Sequence, residues 1–430
     1  MSPVLQQIHK TFGSLTYFNY RMWFFGALVS NLGAWIQRVG QDWLVLRVLT
    51  NYNAVSESIV IALQFIPFIG LSAYAGVLAD RLPRRKLLMA TQAGQGILAF
   101  VLGIMILTGH VQLWHVYIFA FLLGCVTAID GPVRQTFVAE MVPAPMLPNA
   151  VGLNSASFNL SRLLGPAIAG LLIARVGTDW TFIINGFTFT ATILGLVLMR
   201  PSQLYPVPRA ERRKGQIKEA LDYVRGRRDL VTIFIVMAVI SCLGLNSQLT
   251  ISLMATKVFD RQADQFGLLS SIFAVGALIG ALLAARRRHP RLRLILSAAF
   301  CFGIASLLSS IMPTYVTFGI VGILVGLCTL TLITAANSTI QMSTDQAMRG
   351  RVISLYLLIF QGVSAFGSPT IGWVAQIWST RGSIAIGGIA ALAVSIGALL
   401  WAHHNWGVIV RLDQVVPPRI VIEQPHEVAR

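Results

Sequence analysis

Five charged residues stand where charge is costly. Arg38 and Asp42 lie within an apolar run over roughly 20–47, Asp130 and Arg134 within one over 113–141, and Arg162 alone within one over 149–175. Spacing of four puts each pair on one helix face. A charge at the centre of a membrane-spanning helix costs about 2.5–3.5 kcal/mol or more, so it persists where it is paired or used. Either these charges neutralise one another and lock helix packing, or they act on something that enters the membrane. A carboxylate in a partly dry cavity takes up and releases protons near neutral pH, which makes Asp42 and Asp130 candidates for proton coupling. Helix rise puts Asp130 about 17 Å and Arg162 about 20 Å from the same membrane face, so a pair between them is expected. Arg38, Arg134 and Arg162 outnumber the two acids, which suits an anionic solute. Asn31, Gln41 and Asn159 share these runs and are candidate solute contacts. Gln37, Gln64, Asn154, Asn246, Gln248, Asn337, Gln341 and Gln361 are weaker ones, about half of them expected to bond helix to helix.

Other chemistries lack their residues. The chain has no Walker loop, no His-Glu-x2-His and no Gly-x-Ser-x-Gly. Cys125, Cys242, Cys301 and Cys328 all lie in apolar runs with no pairing or metal spacing. No enzyme, no cofactor and no metal site is expected.

The elements that position these residues are membrane helices. Of 430 residues, 55% are apolar and only 11% charged, against about 25% charged in soluble domains. Twelve apolar spans are read, over roughly 20–47, 56–79, 87–108, 113–141, 149–175, 180–200, 230–256, 265–285, 292–312, 315–343, 350–377 and 382–403. No cleavable signal peptide is evident ahead of the first. Twenty-five of the 33 lysines and arginines fall on one side of the membrane and five on the other. That asymmetry predicts both termini in the cytoplasm, and it assigns the net charge of +17 to orientation and lipid contact, not to nucleic acid. Residues 1–200 form a first bundle. Residues 201–229 form a cytoplasmic linker with an amphipathic basic helix from Gly215 to Tyr223. Residues 230–403 form a second bundle, and 404–430 a solvated tail. Three anchors repeat at nearly one offset: Gly76 with Gly280, Pro143 with Asp345, and Pro166 with Pro369. The fold expected is therefore an all-α membrane protein with two six-helix pseudo-symmetric halves and a solute site between them.

Between the second and third spans stands Gly76-x3-Asp80-Arg81-x-Pro83-Arg84-Arg85-Lys86. It resembles the major facilitator superfamily signature Gly-x3-Asp-Arg-x-Gly-Arg-Arg-Lys/Arg, with Pro83 in place of a glycine. Gly152-x8-Ser161-x3-Gly165-Pro166-x2-Ala169-Gly170 resembles that superfamily's exporter motif, in which a proline bends the helix and small residues smooth one face. Asn31-Leu-Gly-Ala-Trp35, Gln41-Asp42-Trp43, Asp130-Gly-Pro-Val-Arg134, Asn159-Leu-Ser-Arg162 and Met348-Arg-Gly-Arg351 look like the bacterial branch of enterobactin exporters and transmembrane secretion effectors. The resemblance runs from about Tyr17 to His403. It implies a major facilitator fold in a bacterial inner membrane. It also implies export of a small amphipathic molecule, drug-like or metabolite, by proton antiport and alternating access. Siderophore export is the nearer alternative, and a non-transporting membrane receptor or assembly partner the more distant one. The partners implied are cargo, protons and membrane lipids, for a monomer. Gating falls to Gly76, Asp80, Arg81, Arg84, Arg85, Gly165 and Pro166, and to Arg349 and Arg351 at the start of span eleven, whose amino end Asp80 is expected to cap when the cytoplasmic side is shut.

Overall fold

The apolar runs become helices. A computed structural model describes residues 12–205, 216–285, 292–345, 348–406, 409–413 and 419–423; for residues 72–77, 79–81, 216, 217, 285, 402–406 and the last two stretches it describes backbone only. In order come α1 (Phe18–Trp43), α2 (Ala54–Arg81), α3 (Arg84–Leu107), α4 (Leu113–Met141), α5 (Leu147–Val176) and α6 (Asp179–Leu198). Then follow α7 (Gln216–Gly226), α8 (Arg228–Leu243), α9 (Ser247–Leu253), α10 (Ala263–Ala285) and α11 (Leu292–Ile311). The last helices are α12 (Tyr315–Ser343), α13 (Arg349–Gly362), α14 (Ser364–Ile377) and α15 (Thr380–Trp406). Among the described residues, eleven segments are long and apolar enough to cross a membrane. Helix α1 is not one of them, although its 26 residues give about 39 Å of length. Asn31, Gln37, Arg38, Gln41 and Asp42 load it with polarity. It is the twelfth segment by length alone.

Two expected spans are interrupted. The seventh breaks at Gly244 between α8 and α9, and the eleventh at Val363 between α13 and α14. Helices α1 and α9 both run on into a π-helical turn, Leu44–Leu49 and Met254–Val258, so the first and seventh spans end alike. In the tail, Ile409–Asp413 (β1) and Arg419–Glu423 (β2) pair antiparallel, with Ile409 opposite Glu423 and Asp413 opposite Arg419. Runs of β-branched residues, Ile409-Val410 and Ile420-Val421-Ile422, favour these strands.

By contact, the chain groups into two units that cut across its order. Unit 1 holds Met1–Arg213, Asn246–Val275 and Ser364–Thr380; unit 2 holds Lys214–Leu245, Gly276–Val363 and Arg381–Arg430. In unit 1, α1 lies against α6 along Gly26, Gly33 and Gly40, seven residues apart. A Cβ at Gly26 would fall 2.9 Å from the Ala191 carbonyl oxygen and the Thr192 Cα, so only glycine allows this approach. Across the seam, the Asn185 amide donates to Gln37 (2.6 Å) and the Thr192 hydroxyl reaches the Gly26 carbonyl (2.9 Å). Helix α5 runs parallel to α1: the Tyr20 hydroxyl donates to the Ala150 carbonyl (2.8 Å), and Gly165 packs on Trp35 further along. In unit 2, α7 covers the predicted amphipathic stretch. It buries Ala220 and Val224 and packs on α13, where Glu219 pairs with Arg351 and the Tyr223 hydroxyl donates to Asp345 (3.0 Å).

Candidate functional site

Polar groups in unit 1 gather at three places. The first is built on α3 and α4. Asp130 is 5% exposed and accepts from the Thr91 hydroxyl (2.6 Å), the Gln92 amide (2.8 Å) and the Arg134 guanidinium (3.0 Å). Arg134 extends the network to Asn31 (3.3 Å) and lies over the Trp23 ring, 5.4 Å from its centroid. The expected pair of Asp130 with Arg162 is therefore not formed. Similar depth on consecutive helices does not fix the face, and Arg134, one turn along the same helix, claims the carboxylate. Thr91 and Gln92 escaped the sequence reading; adjacent polar residues inside the span over 87–108 were the signal.

The second place lies along α1 and α5. Arg38 folds over the Trp35 ring, 4.7 Å from its centroid, and Trp35 meets Phe158 edge to face at 5.9 Å. Arg162 stands one turn beyond Phe158, half-buried, with Nη2 enclosed and unpartnered. Neither Arg38 nor Arg162 has a carboxylate within ion-pair distance among the described residues. Asn159, on the same helix, bonds its own backbone at Ser155 (2.8 Å). One cation thus lies on the aromatic pair, and a second stands one helical turn along α5 from Phe158.

The third place lies at the end of unit 1 remote from the Gly76–Lys86 loop. Asn53 caps α2 by accepting from the Val55 and Ser56 amides (3.0 and 3.1 Å). Glu57, one turn in, is 1% exposed. Its Oε1 lies 2.5 Å from Ser252 Oγ of α9, while its Oε2 is enclosed without a partner. One turn back on α9, the Gln248 amide donates to Asp42 (2.8 Å), which is 3% exposed and within Coulombic reach of Glu57. Gln41 accepts from Gln64 (3.1 Å), and its own amide nitrogen is enclosed without a partner. The sequence reading missed Glu57, which stands at the edge of its span, where an acid reads as interfacial; an acid four residues after a capping Asn53 was the available signal.

The gating candidates divide. Gly165 and Pro166 lie in a seam: a Cβ at Gly165 would fall 2.5 Å from Trp35 Cβ, and the Pro166 carbonyl meets Gly267 of α10. Arg84 pairs with Glu140 (2.5 Å), and Arg85 caps the carboxyl end of α6 by donating to Leu196 (2.6 Å) and Val197 (2.9 Å). The side chains of Asp80 and Arg81, and the surroundings of Gly76, lie outside the described residues. In unit 2, Arg349 is exposed at the first residue of α13, and Arg351 is engaged by Glu219.

Known proteins resemble this chain in sequence and in arrangement of helices. The family model described as "Transmembrane secretion effector" matches residues 10–413. The chain belongs to that family, within the major facilitator superfamily of transporters. The staphyloferrin A transporter of Staphylococcus aureus is 26% identical over 85% of this chain and 91% of its own length. The multidrug efflux pump Tap of Mycobacterium tuberculosis is 28% identical over 77% and 81%, and the enterobactin exporter EntS of Escherichia coli 24% over 77% and 80%. Among solved structures, a POT family transporter in complex with 5-aminolevulinic acid matches with a TM-score of 0.73 at 11% identity, covering 90% of this chain and 96% of its own. The nucleoside transporter NupG matches at 0.66 and 12%, covering 89% and 98%. These likenesses show the fold. The family and its members make the chain a multi-pass transporter of small molecules, not an enzyme.

Proposed function

We propose that this transporter exports a small amphipathic anion across a bacterial inner membrane in exchange for protons, with both termini in the cytoplasm. The observation that carries the reading is Arg38 over Trp35, which meets Phe158, and Arg162 one turn further along α5, neither arginine in ion-pair contact with a carboxylate among the described residues. Uncompensated charge at membrane depth is retained where a ligand supplies the counter-charge. The rings offer the apolar half of an amphipathic cargo, and guanidinium groups bind carboxylates or catecholates in a planar, bidentate way. Family relatives named as transporters of staphyloferrin A and enterobactin favour a siderophore as the cargo. Proton coupling draws support from Asp42, a buried carboxylate that accepts from the Gln248 amide and makes no ion-pair contact among the described residues.

Export from inverted membrane vesicles tests this. Anionic siderophores and cationic dyes are compared, with and without a proton gradient. Gradient-driven movement of the anions is expected, with KM raised about tenfold in Arg38→Gln and in Arg162→Gln. Transport restricted to cations, or indifferent to the gradient, overturns the reading.

A further inference from the structure

We propose that Glu57 is the proton-binding site of the outer gate, and that the seam of α9 and α14 on the amino end of α2 shuts only when this carboxyl carries a proton. The inference rests on the proton-antiport reading above and adds a residue and a direction to it.

The seam is closely packed. Ala54 at the start of α2 donates its amide to Gln376 of α14 (3.0 Å), and a Cβ at Gly372 would fall 2.8 Å from the Ala54 carbonyl oxygen and collide with Ser58. Asn246 accepts from Ser368 (2.8 Å) just before α9 begins. Glu57 is enclosed beneath these contacts with one oxygen on Ser252 and the other on nothing. A carboxylate buried in that way keeps most of its desolvation penalty. The amino end of α2 returns little of it, because the dipole's effect fades after the first turn.

The hydrogen count agrees. Ser252 has one hydroxyl hydrogen and two oxygens to serve, Glu57 Oε1 at 2.5 Å and the Leu249 carbonyl at 2.8 Å. If Glu57 is protonated, its O–H donates to Ser252 Oγ and the serine hydrogen goes to Leu249, so both hydrogen bonds form. If it is ionised, the one serine hydrogen is shared between the two contacts, as the Thr91 hydrogen is between Asp130 and the Leu88 carbonyl, and Glu57, unlike Asp130, has no further donor to add.

The surrounding charges do not replace the proton. From α1 and its π-helical turn come Asp42, a like charge, Arg38, folded over Trp35, and Arg47, held by Asp260 (3.6 Å) and lying over Tyr52. From the π-helical turn after α9 comes Lys257, which is exposed, and from the start of α10 comes Asp264. From α4 comes His115, whose Nδ1 accepts the Gln112 amide (3.0 Å). Helix α14 carries no charged residue, and the arginines and lysine of α3 stand at its other end. None of the cations makes an ion pair with Glu57 among the described residues.

The step is a proton transfer. With the seam open, Glu57 is wet and its carboxylate takes a proton from outer water; the seam then closes over the neutral acid. Release of that proton to water on the cytoplasmic side strands a charge in the seam and drives it open again. Low outer pH therefore favours the shut state, and rising pH the open one.

Spin labels at Val48 and Trp378, both exposed beside the seam, report its width by double electron–electron resonance in the full-length transporter. The open-to-shut ratio is expected to rise at least tenfold between pH 5.5 and 8. Glu57→Gln, neutral at both, is expected to keep the short distance throughout. A pH response in Glu57→Gln equal to that of the unchanged protein assigns the switch to another group, His115 or Asp42, and overturns the proposal. So does a seam width that ignores pH in the unchanged protein. If Glu57→Gln does not accumulate, Ser252→Ala decides: loss of the acid's partner should open the seam at lower pH, and an unmoved transition overturns the proposal. Vesicle export by the unchanged protein judges the antiport reading separately, since it asks for a gradient and not for Glu57.

Discussion

Removing the Asp130 carboxylate should destabilise unit 1, and removing Arg134 with it should recover part of the loss. Asp130→Ala strands Arg134 and strips Thr91 and Gln92 of an acceptor. Breaking one side of a buried pair costs about 3–5 kcal/mol. The lower end applies, because Arg134 keeps Asn31 and the Trp23 ring, its side chain is 22% exposed, and Thr91 retains the Leu88 carbonyl at 3.0 Å. About 3 kcal/mol is therefore expected for Asp130→Ala. Arg134→Ala leaves the acid its two neutral donors, and about 2 kcal/mol is expected, between the loss of one charged hydrogen bond and a fully stranded ion. Independent effects would sum to about 5 kcal/mol in the double variant; about 3 is expected, a coupling of about 2 kcal/mol. The assay is SDS-titrated unfolding in mixed micelles, followed by far-ultraviolet circular dichroism for all four proteins. A coupling below about 0.5 kcal/mol would refute the view that the two charges act as one unit.

Two further outcomes follow from the packing. Gly372→Val places a branched side chain against Ser58 and the Ala54 carbonyl; it should wedge the seam, lengthen the Val48–Trp378 distance at every pH and lower export at least tenfold, as spin-label distances and vesicle flux will show. Glu219→Ala releases Arg351 from α7. Exposed pairs contribute about 0.2–1 kcal/mol, so stability should barely move, while proteolysis near residues 216–226 should quicken as α7 loses its hold on α13.

The fold was legible because membrane burial writes itself as length and apolarity. Span after span needed only about twenty apolar residues, and the proline and glycine anchors gave the repeat. What misled was local. A break at Gly244 or Val363 leaves the apolar count unchanged, so a single long span and two short helices read alike. The hairpin in the tail was hidden for another reason: five-residue stretches Ile409–Asp413 and Arg419–Glu423, six of their ten residues apolar, pair with one another, and pairing is invisible to composition. Charges were legible as exceptions, yet not their partners. Depth follows from counting residues at about 1.5 Å each, but the face depends on how each helix rolls against its neighbours. Asp130 therefore went to Arg162 on paper and to Arg134, Thr91 and Gln92 in the folded chain.

The same distinction separates two buried acids, Asp130 and Glu57, by role. Asp130 sits among donors that answer its charge, on helices that follow each other in the chain. Glu57 sits under segments drawn from far along the chain, with one hydroxyl and one vacant side. A satisfied carboxylate gains nothing from protonation and holds its helices together through any cycle. An unsatisfied one makes closure of its surroundings depend on proton supply, and the segments that close over it, α9 and α14, come from the half of the sequence that must move if access alternates. Sequence position alone ranks Asp130 first, because it stands mid-span. Contacts reverse the order: the acid at the span's edge is the one whose environment can change during transport.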